Sequence, residues 1–297
     1  MADRKEKLLE AAARQLEKGR PDRAVQEYQR LLDEDPNDLD GLRLLGELLV
    51  RQGQNADAVP VLFRLGAVLA RAGAQLKSAA TFKSVLRLDP DCVDAYRYLV
   101  DLHLKLGMAA EAAEYLLALA ELSEKLGITR DHLAIYRKLV ELQPQDIAHK
   151  LRLAELCSAQ GQMPEAIKAF RAAARALKEQ GRLQEYLKVA ERLLRHDPKD
   201  IDLAKELANI YVQMGDTRSA LQKLQLAHRQ DPADTDTLLM LANLFAQLQQ
   251  PDKAIHILKV MARVHLQEGS VDGAQQAFRR VLQLAPEDPE ARKFFGG

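Results

Sequence analysis

Prolines that recur at an almost constant interval constrain the fold of this chain more than any other feature. They stand in short polar turns, of which Asp35-Pro36-Asn37-Asp38 is an example. The turn prolines are Pro36, Pro90, Pro144, Pro198, Pro232 and Pro286. Their spacing is about 54 residues, except for a shorter gap of about 34 residues between Pro198 and Pro232, and such an internal period indicates an array of structural repeats. Each repeat buries its apolar face against the next. We therefore predict one elongated repeat domain over residues 1–297 rather than two globular domains.

Small and apolar residues between these turns recur at helical spacing. The first unit has Ala12 on one helix and Ala24 and Tyr28 on a second helix. A turn at Gly19 separates the two helices. Aromatic residues make up only 5% of the chain and β-branched runs are few, which argues against strands. The predicted fold class is all-α.

The prolines divide the chain into six units and a closing segment. The predicted units are about 5–38, 39–92, 93–146, 147–200, 201–234 and 235–288, followed by a C-terminal cap at 289–297. Positions 55–72, which belong to the extra length of a long unit, match both a first and a second helix of a repeat. We therefore predict three helices in each long unit. The middle helix should be apolar on two faces and buried from both sides. This organisation predicts sixteen helices before the closing segment.

Glycine and aspartate mark the expected helix ends. Glycines at the first turn of a unit or after a middle helix suit a left-handed C-terminal cap, and Gln249 is the exception. The expected aspartate N-caps are Asp38, Asp146, Asp200, Asp234 and Asp288. Cys92 occupies the equivalent position in another unit. Because cysteine caps poorly, this helix start is expected either to fray and leave the thiol accessible or to carry an incidental substitution.

The order of small residue, glycine, alanine, aromatic residue and proline resembles the tetratricopeptide repeat, whose consensus period is about 34 residues. The first unit shows it as Ala12, Gly19, Ala24, Tyr28 and Pro36, and the short unit shows it as Leu207, Ala208, Tyr211, Gly215, Ala220 and Pro232. The chain departs from the family in its missing tryptophan and in the wider spacing of most of its turn prolines. The resemblance implies an alpha-alpha superhelix, a solenoid that binds other proteins.

The charge balance and the cysteines exclude several classes of partner. The chain has 43 Lys and Arg and 43 Asp and Glu, so it offers no strong field for nucleic acid or an anionic membrane. Its most apolar stretch, 59–74, is too short to span a bilayer, and its charged start does not resemble a signal peptide. Two cysteines that are far apart in the sequence provide no disulfide framework. We therefore expect a cytoplasmic protein without nucleic-acid binding or membrane insertion.

No stretch of the sequence carries a recognisable catalytic, phosphate-binding or metal-binding motif. No two of the seven histidines have the short helical spacing that a metal site on one helix would require. Cys157 is expected to pack against a neighbouring helix. The basic residues Lys168, Arg171, Arg175, Lys178 and Arg182 follow one helical face, and the simpler interpretation is a solvated surface. We therefore predict no enzyme activity, no cofactor and no metal site.

The resemblance implies a binding groove, because in tetratricopeptide arrays the first helix of each unit usually lines the concave face. That face would carry Arg43, Glu47, Arg51, Arg97, Tyr98, Asp101, Lys105, Arg152, Glu155, Lys205, Asn209, Gln213, Met240 and Asn243. Mixed charges around an aromatic residue suit a bound peptide or helix. Lys205 and Asn209 also match the first two positions of a clamp that some tetratricopeptide domains use for a chaperone's C-terminal carboxylate. Met240 replaces the next asparagine of that clamp, so the match is incomplete.

These features together favour a scaffold or adaptor that holds a partner protein or peptide in its groove. The resemblance is compatible with bacterial motility or polarity adaptors, although no residue selects that role. An alternative is a structural component that self-assembles through its end helices. Phe294 and Phe295 are expected to close the last unit and, if they do not fold back, to form an oligomer contact. The sequence leaves open the partner, the curvature of the groove and the oligomeric state.

Overall fold

The repeats fold into α-helices joined by short turns. A computed structural model describes residues 2–128 and 131–296. These residues form seventeen α-helices and no strand, which confirms the predicted all-α fold class. The chain divides into two compact units, Met1–Leu156 and Cys157–Gly297, with the boundary inside the ninth helix. The assignment of all repeats to a single domain stays a prediction.

The first compact unit begins with the N-terminal helix and extends into the ninth helix. The helices are α1 (Ala2–Glu17), α2 (Pro21–Glu34), α3 (Leu39–Arg51), α4 (Asn55–Arg71), α5 (Gln75–Leu88), α6 (Val93–Lys105), α7 (Ala109–Lys125), α8 (His132–Leu142) and the greater part of α9 (Ile147–Ala159). Its core includes the fully buried Phe82 and Leu99. Ala24 and Tyr28, predicted to face the neighbouring helix, are buried as well.

The second compact unit continues the same pattern to the end of the chain. Its helices are α10 (Met163–Glu179), α11 (Leu183–His196), α12 (Ile201–Gln213), α13 (Thr217–Gln230), α14 (Thr235–Gln247), α15 (Pro251–Gln267), α16 (Val271–Leu284) and α17 (Pro289–Phe295). Among its fully buried residues are Phe170 and Leu207. Cys157 is also buried, as expected of a packed thiol.

The additional length of each long repeat forms one helix and one connection. The middle helices α4, α7, α10 and α15 each have 17 residues. A short connection that contains glycine follows α4, α10 and α15, whereas slightly longer connections contain the turn prolines. Buried residues on α4 include Ala58, Leu62 and Leu65. Because α4 packs on both α3 and α5, it is buried from two sides as predicted.

The residues that end the helices act as their chemistry predicts. The carboxylates at Asp38, Asp146, Asp200, Asp234 and Asp288 each accept a backbone N–H from the first turn of the following helix. The predicted turn glycines adopt positive φ angles, and Gln249 adopts a φ of 57°. The Cys92 side chain makes no capping hydrogen bond, but it is half-buried, and burial raises the pKa of the thiol. The thiol is therefore less exposed and harder to ionise than a free cysteine side chain.

Contacts that skip one helix divide the helices of each compact unit into two sets. In the first unit, Phe63 of α4 packs against Tyr98 of α6 with ring centroids 5.6 Å apart. Arg152 of α9 pairs with Glu124 of α7. In the second unit, Lys178 of α10 pairs with Glu206 of α12 at 2.8 Å. Odd-numbered helices therefore border one face of a unit and even-numbered helices border the other.

The last helix closes the second unit with one phenylalanine rather than two. Phe294 packs on Phe278 with ring centroids 4.8 Å apart. Phe295 remains 43% exposed, so the expectation that it would also cover the end is wrong. Because neighbouring residues of a helix point in directions about 100° apart, a single short helix cannot turn both rings towards α16.

Candidate functional site

A groove opens between α3 and α5 above the middle helix α4. Two adjoining cavities of about 530 and 330 Å³ form it, and both are lined by Glu47, Leu62 and Ser84. Because short turns join α3 to α4 and α4 to α5, the helices α3 and α5 run parallel to each other along the two walls. We call this cleft the α3–α5 groove.

The floor of the α3–α5 groove is apolar and its walls are polar. Leu62, Leu65 and Leu69 of α4 form the floor. The walls consist of Asp40, Arg43, Glu47 and Arg51 on α3 and Lys77, Ala80, Thr81, Ser84 and Arg87 on α5. Leucines at positions 62, 65 and 69 recur at helical spacing, so one stripe of α4 faces the cleft.

Small residues let the walls approach the floor. Gly46 lies where α3 meets α4, and a Cβ atom there would come within 2.6 Å of a Leu62 methyl carbon. Gly66 plays the same part on the other side of α4, where a Cβ atom would lie 2.8 Å from the Phe82 ring. Since both glycines are helical, close packing rather than backbone conformation explains them.

Each carboxylate in the walls already has a cation from the fold. Asp40 lies 3.0 Å from the Lys5 ammonium and 4.0 Å from the Arg43 guanidinium. Glu47 accepts from Arg43 at 3.3 Å. Arg43 and Glu47, both predicted as binding residues, therefore line the groove as a pair.

Three wall cations have no carboxylate partner. Within the described part of the chain, Arg51 and Lys77 form no ion pair, and Arg87 donates only to the Ser84 hydroxyl, at 2.6 Å. All three side chains are exposed. The groove therefore has an apolar floor and a local excess of positive charge.

The predicted residues on α6 do not belong to this groove. Arg97 pairs with Asp94 at 3.0 Å and with Asp131 at the start of α8. Tyr98, predicted as an aromatic anchor, stacks on Phe82 with ring centroids 4.6 Å apart and is half-buried. Asp101 and Lys105 are exposed on the same even-numbered helix.

The remaining predicted residues lie on three further helices. Arg152 of α9 pairs with Glu124 and lies 3.8 Å from Glu155. Asn209 of α12 and Asn243 of α14 are exposed, and Asn243 accepts from Arg280 at 3.3 Å.

Lys205 of α12 is held by three carboxylates of the fold. It lies 3.2 Å from Asp234, 3.6 Å from Asp202 and 3.7 Å from Asp236, and its side chain is only 18% exposed. Burial is the largest single influence and opposes a higher pKa, but the hydrogen bond to Asp234 and the charges of the three carboxylates together raise the pKa of Lys205. An incoming carboxylate would have to displace these partners.

The first helices of successive long units do not share one face. Each long unit has three helices, so an odd-numbered first helix is followed in the next unit by an even-numbered one. Within the first compact unit, α3 is odd-numbered and α6 is even-numbered, so Arg43 and Arg97 border different faces. The third helix shares the face of the first. Lys77, Thr81, Ser84 and Arg87 of α5 were therefore missed, although the predicted three-helix unit contained the signal that α5 is the neighbour of α3.

The basic face that stands out in the sequence serves the fold itself. Arg171 pairs with Asp200 at 2.8 Å, and Arg175 pairs with Glu179 at 2.9 Å. Arg182 pairs with Glu185 at 2.6 Å. These contacts agree with the interpretation of this stretch as a solvated helix surface.

Metal sites and membrane spans were also sought in the described residues. Over 2–128 and 131–296, no group of three or more His, Cys, Asp and Glu residues is arranged to hold a metal ion. None of the helices in those ranges combines the length and apolarity that crossing a membrane requires.

Comparison with known families identifies the repeats. Three sequence profiles, each described as tetratricopeptide repeat, match residues 15–81 and 212–265, residues 167–210, and residues 63–126 and 133–181. Together they cover 15–126, 133–210 and 212–265. No curated protein matches the chain by sequence.

Several solved structures resemble the chain at low identity. A TPR2AB domain of yeast Sti1 in a pHSP90 complex is 12% identical, with 97% of this chain and 100% of that chain covered and a TM-score of 0.35. YrrB, a TPR protein with an unusual peptide-binding site, is 12% identical, with coverage of 84% and 97% and a TM-score of 0.27. The human IFIT1 dimer with m7Gppp-AAAA is 16% identical, with coverage of 95% and 78% and a TM-score of 0.29. At these TM-scores nothing further follows about the geometry of the groove.

Proposed function

We propose, from the premise that this chain belongs to the tetratricopeptide repeat superfamily, that the α3–α5 groove holds a segment of a partner protein. Proteins of this superfamily are interaction scaffolds that bind protein or peptide partners. The finer assignment, which is the groove and its use by a partner, is our proposal. The scaffold would act by recognition on a preformed surface and not by catalysis.

The observation that carries the proposal is the combination of a leucine floor with exposed cations on both walls. Leu62 and Leu65 are already buried, so covering the floor removes water chiefly from Leu69, with a gain of roughly 25 cal/mol for each Å². Polar walls then fix the orientation of the bound segment through hydrogen bonds. The remaining predicted residues, on α6, α9, α12 and α14, stay candidates for further contacts.

Affinity capture from the native cell extract tests the groove if a variant fills it without disturbing the core. Ala80 is exposed on the α5 wall, so Ala80→Trp places an indole over the floor. Ala56→Trp, at an exposed position of the first turn of α4, is the matched control. We expect a partner that the wild type and Ala56→Trp retain and that Ala80→Trp loses at unchanged helicity. Retention of the same proteins by all three forms would remove the groove assignment.

The self-assembly alternative depends on the C-terminal helix. Phe294 packs against Phe278 within the second compact unit, so Phe295 is the exposed aromatic residue of the pair. Light scattering across a concentration series would detect assembly, and Phe295→Ser should abolish it. A constant monomer mass for the wild type would rule this alternative out. A role in motility or polarity machinery and a cytoplasmic location stay hypotheses, since no described side chain selects them.

A further inference from the structure

We infer that the occupant of the α3–α5 groove is a short internal acidic segment of the partner protein, with a large aliphatic side chain between acidic residues. This inference rests on the proposed function and specifies the chemistry of its ligand. It depends on the balance of charge in the walls, on the positions of the free cations and on the width of the apolar floor.

The charges of the groove favour an anionic ligand. Of the two wall carboxylates, Glu47 pairs with Arg43, and Asp40 pairs with Lys5, which it shares with the N-cap carboxylate Asp38. Arg51, Lys77 and Arg87 are left without a carboxylate partner among the described residues. Charge-assisted hydrogen bonds between such cations and carboxylates are stronger than bonds between neutral groups. A basic segment would be repelled, because the cations around the groove still outnumber the carboxylates by two when Asp38 is included.

The cations stand at the two ends of the groove. Lys77 belongs to the first turn of α5, whereas Arg87 is in its last turn and lies with Arg51 beside the second cavity. The stretch of helix between Lys77 and Arg87 has a length of about 15 Å, at a rise of roughly 1.5 Å per residue. An extended chain covers that distance in about five residues at roughly 3.3 Å each.

One terminal carboxylate cannot reach both ends at this separation. The ligand therefore needs at least two acidic side chains and not only a free C-terminus. No asparagine lines either cavity of the groove in the described part of the chain. These two observations distinguish the α3–α5 groove from a clamp for a terminal carboxylate.

The floor requires an apolar group between the acids. Leu62, Leu65 and Leu69 lie in one row on one helix, with polar walls on either side. A row of this width accommodates a single large aliphatic side chain rather than the broad apolar stripe of an amphipathic helix. The ligand is thus acidic at its ends and aliphatic in its centre.

Selection from a displayed library of short random peptides tests this chemistry without knowledge of the partner. The full-length wild type is the bait, and peptides that also bind Ala80→Trp are removed. We expect the groove-dependent peptides to contain two or more Asp or Glu residues around a Leu, Ile or Met. Groove-dependent peptides that are neutral or basic would overturn the inference and leave the proposed function intact. If no groove-dependent peptide is recovered, the proposed function fails and the inference fails with it.

A capped form of the selected peptide, acetylated and amidated at its ends, then tests the cations by fluorescence anisotropy. The variant Arg51→Glu with Lys77→Glu should weaken binding about tenfold or more. The matched control is Arg64→Glu with Arg23→Glu, which changes the net charge equally at exposed positions that line neither cavity and are not predicted binding residues. An equal loss of binding affinity in both double variants would mean that only the net charge of the protein matters, which would contradict the inference. Loss of binding on capping the C-terminus would contradict the internal segment.

Discussion

At the scale of single residues, one ion pair recurs across the repeats. A cation contacts the N-cap carboxylate of a later helix at a constant separation in sequence, as in Arg171 with Asp200, Lys205 with Asp234 and Lys259 with Asp288. In the unit where Cys92 replaces the aspartate, Phe63 stands at the position of the cation. Phe63 packs edge-on against Phe82 and Tyr98. In this unit an apolar contact stands where those three units have an ion pair, and Leu117 likewise stands in that position before Asp146.

Asp234→Ala should lower the free energy of unfolding by about 1–2 kcal/mol, because it removes an N-cap and a half-buried ion pair. Burial opposes a lower pKa for Asp234, but the bonds from Thr237 and Lys205 outweigh burial and lower the pKa. The stabilisation is therefore present above the ordinary aspartate pKa and is lost as the pH falls through the lowered value. Urea denaturation of the variant and the wild type should thus give midpoints that converge in acid.

Asp236→Ala is the matched control for this prediction. Its side chain is 77% exposed and lies 3.7 Å from the same Lys205 ammonium. We expect a change within about 0.5 kcal/mol, as is usual for an exposed ion pair. An equal effect of both substitutions would show that the cap contributes nothing beyond surface charge.

The raised pKa of Tyr211 leads us to expect a lower free energy of unfolding in alkali. Burial and the hydrogen bond to Glu191, 2.9 Å long, raise the pKa of Tyr211 to about 12. Because the folded chain keeps this proton longer than the unfolded chain, its stabilising effect is complete below about pH 10 and is lost towards about pH 12. Urea midpoints should fall less steeply over this range in Tyr211→Phe than in the wild type. Identical slopes for the two proteins would contradict the assignment.

At the scale of helices, the turns and the close contacts of the middle helices define the repeat. Gln249 takes the left-handed conformation that glycine takes at the equivalent turns. A residue with a Cβ atom pays about 1 kcal/mol or more for this conformation. Gly46 and Gly66 lie instead where α4 meets its two neighbouring helices, so substitutions there test packing rather than turn geometry.

Gln249→Gly should raise the free energy of unfolding by roughly 0.5–1 kcal/mol, because it relieves the left-handed residue after α14. The reciprocal control is Gly215→Gln, at a φ of 77°, which should lower it by at least as much. Urea midpoints measure both effects. A stabilising Gly215→Gln would mean that the sign of φ does not limit these turns.

Gly66→Ala should destabilise the protein even though alanine is the better helix former. Its Cβ atom would lie 2.8 Å from the fully buried Phe82 ring, and such overpacking costs about 1–3 kcal/mol. Gly41→Ala in α3 is the matched control, because the nearest atoms to its Cβ atom would be the terminal methyl carbons of Leu31 and Leu32, at 3.0 and 3.1 Å, which can shift slightly. The control should be neutral or gain up to about 1 kcal/mol of helix propensity. Similar thermal midpoints for both variants would argue against tight packing between α4 and α5.

At the scale of the whole molecule, the chain consists of two compact units that each have their own buried clusters. In repeat proteins stability is close to a sum of local terms, so damage in one region need not spread to the other. The α3–α5 groove lies entirely within the first unit. A perturbation in the second unit should therefore leave the groove unaffected.

Phe278→Ala tests this independence. Phe278 is only 3% exposed and packs against Phe294. Its truncation should lower the local free energy of unfolding by about 3–5 kcal/mol. Hydrogen exchange followed by mass spectrometry should show faster exchange in α15–α17 and unchanged exchange in α3–α5. Phe295→Ser removes a 43% exposed ring that touches Phe294 edge-on, so it should have a smaller effect on α15–α17 and none on α3–α5. Faster exchange in α3–α5 of Phe278→Ala would show that the units unfold together.

The sequence by itself determined the helices, their ends and the repeat family, because these depend on neighbours within a few residues. Pro36, Gly53 and Asp38 act through their own backbone geometry and the next turn of chain, and the long period of the turn prolines exposes the additional helix. The resemblance to the repeat family also selected Arg43 and Glu47, which line the α3–α5 groove.

Only the tertiary structure decided which helices border the same face and which cations are available to a ligand. The change from the odd-numbered α3 to the even-numbered α6 separates Arg43 from Arg97. Because α5 shares the face of α3, Arg87 lies beside Arg51, and Lys77 lines the other end of the same groove. Lys205 and Arg152 look equivalent to Arg51 in the sequence. Each of them nevertheless forms an ion pair with a carboxylate that is distant along the chain. Long charged side chains pair with whichever carboxylates lie near them in space. The local sequence pattern does not indicate which positions, distant along the chain, will be near.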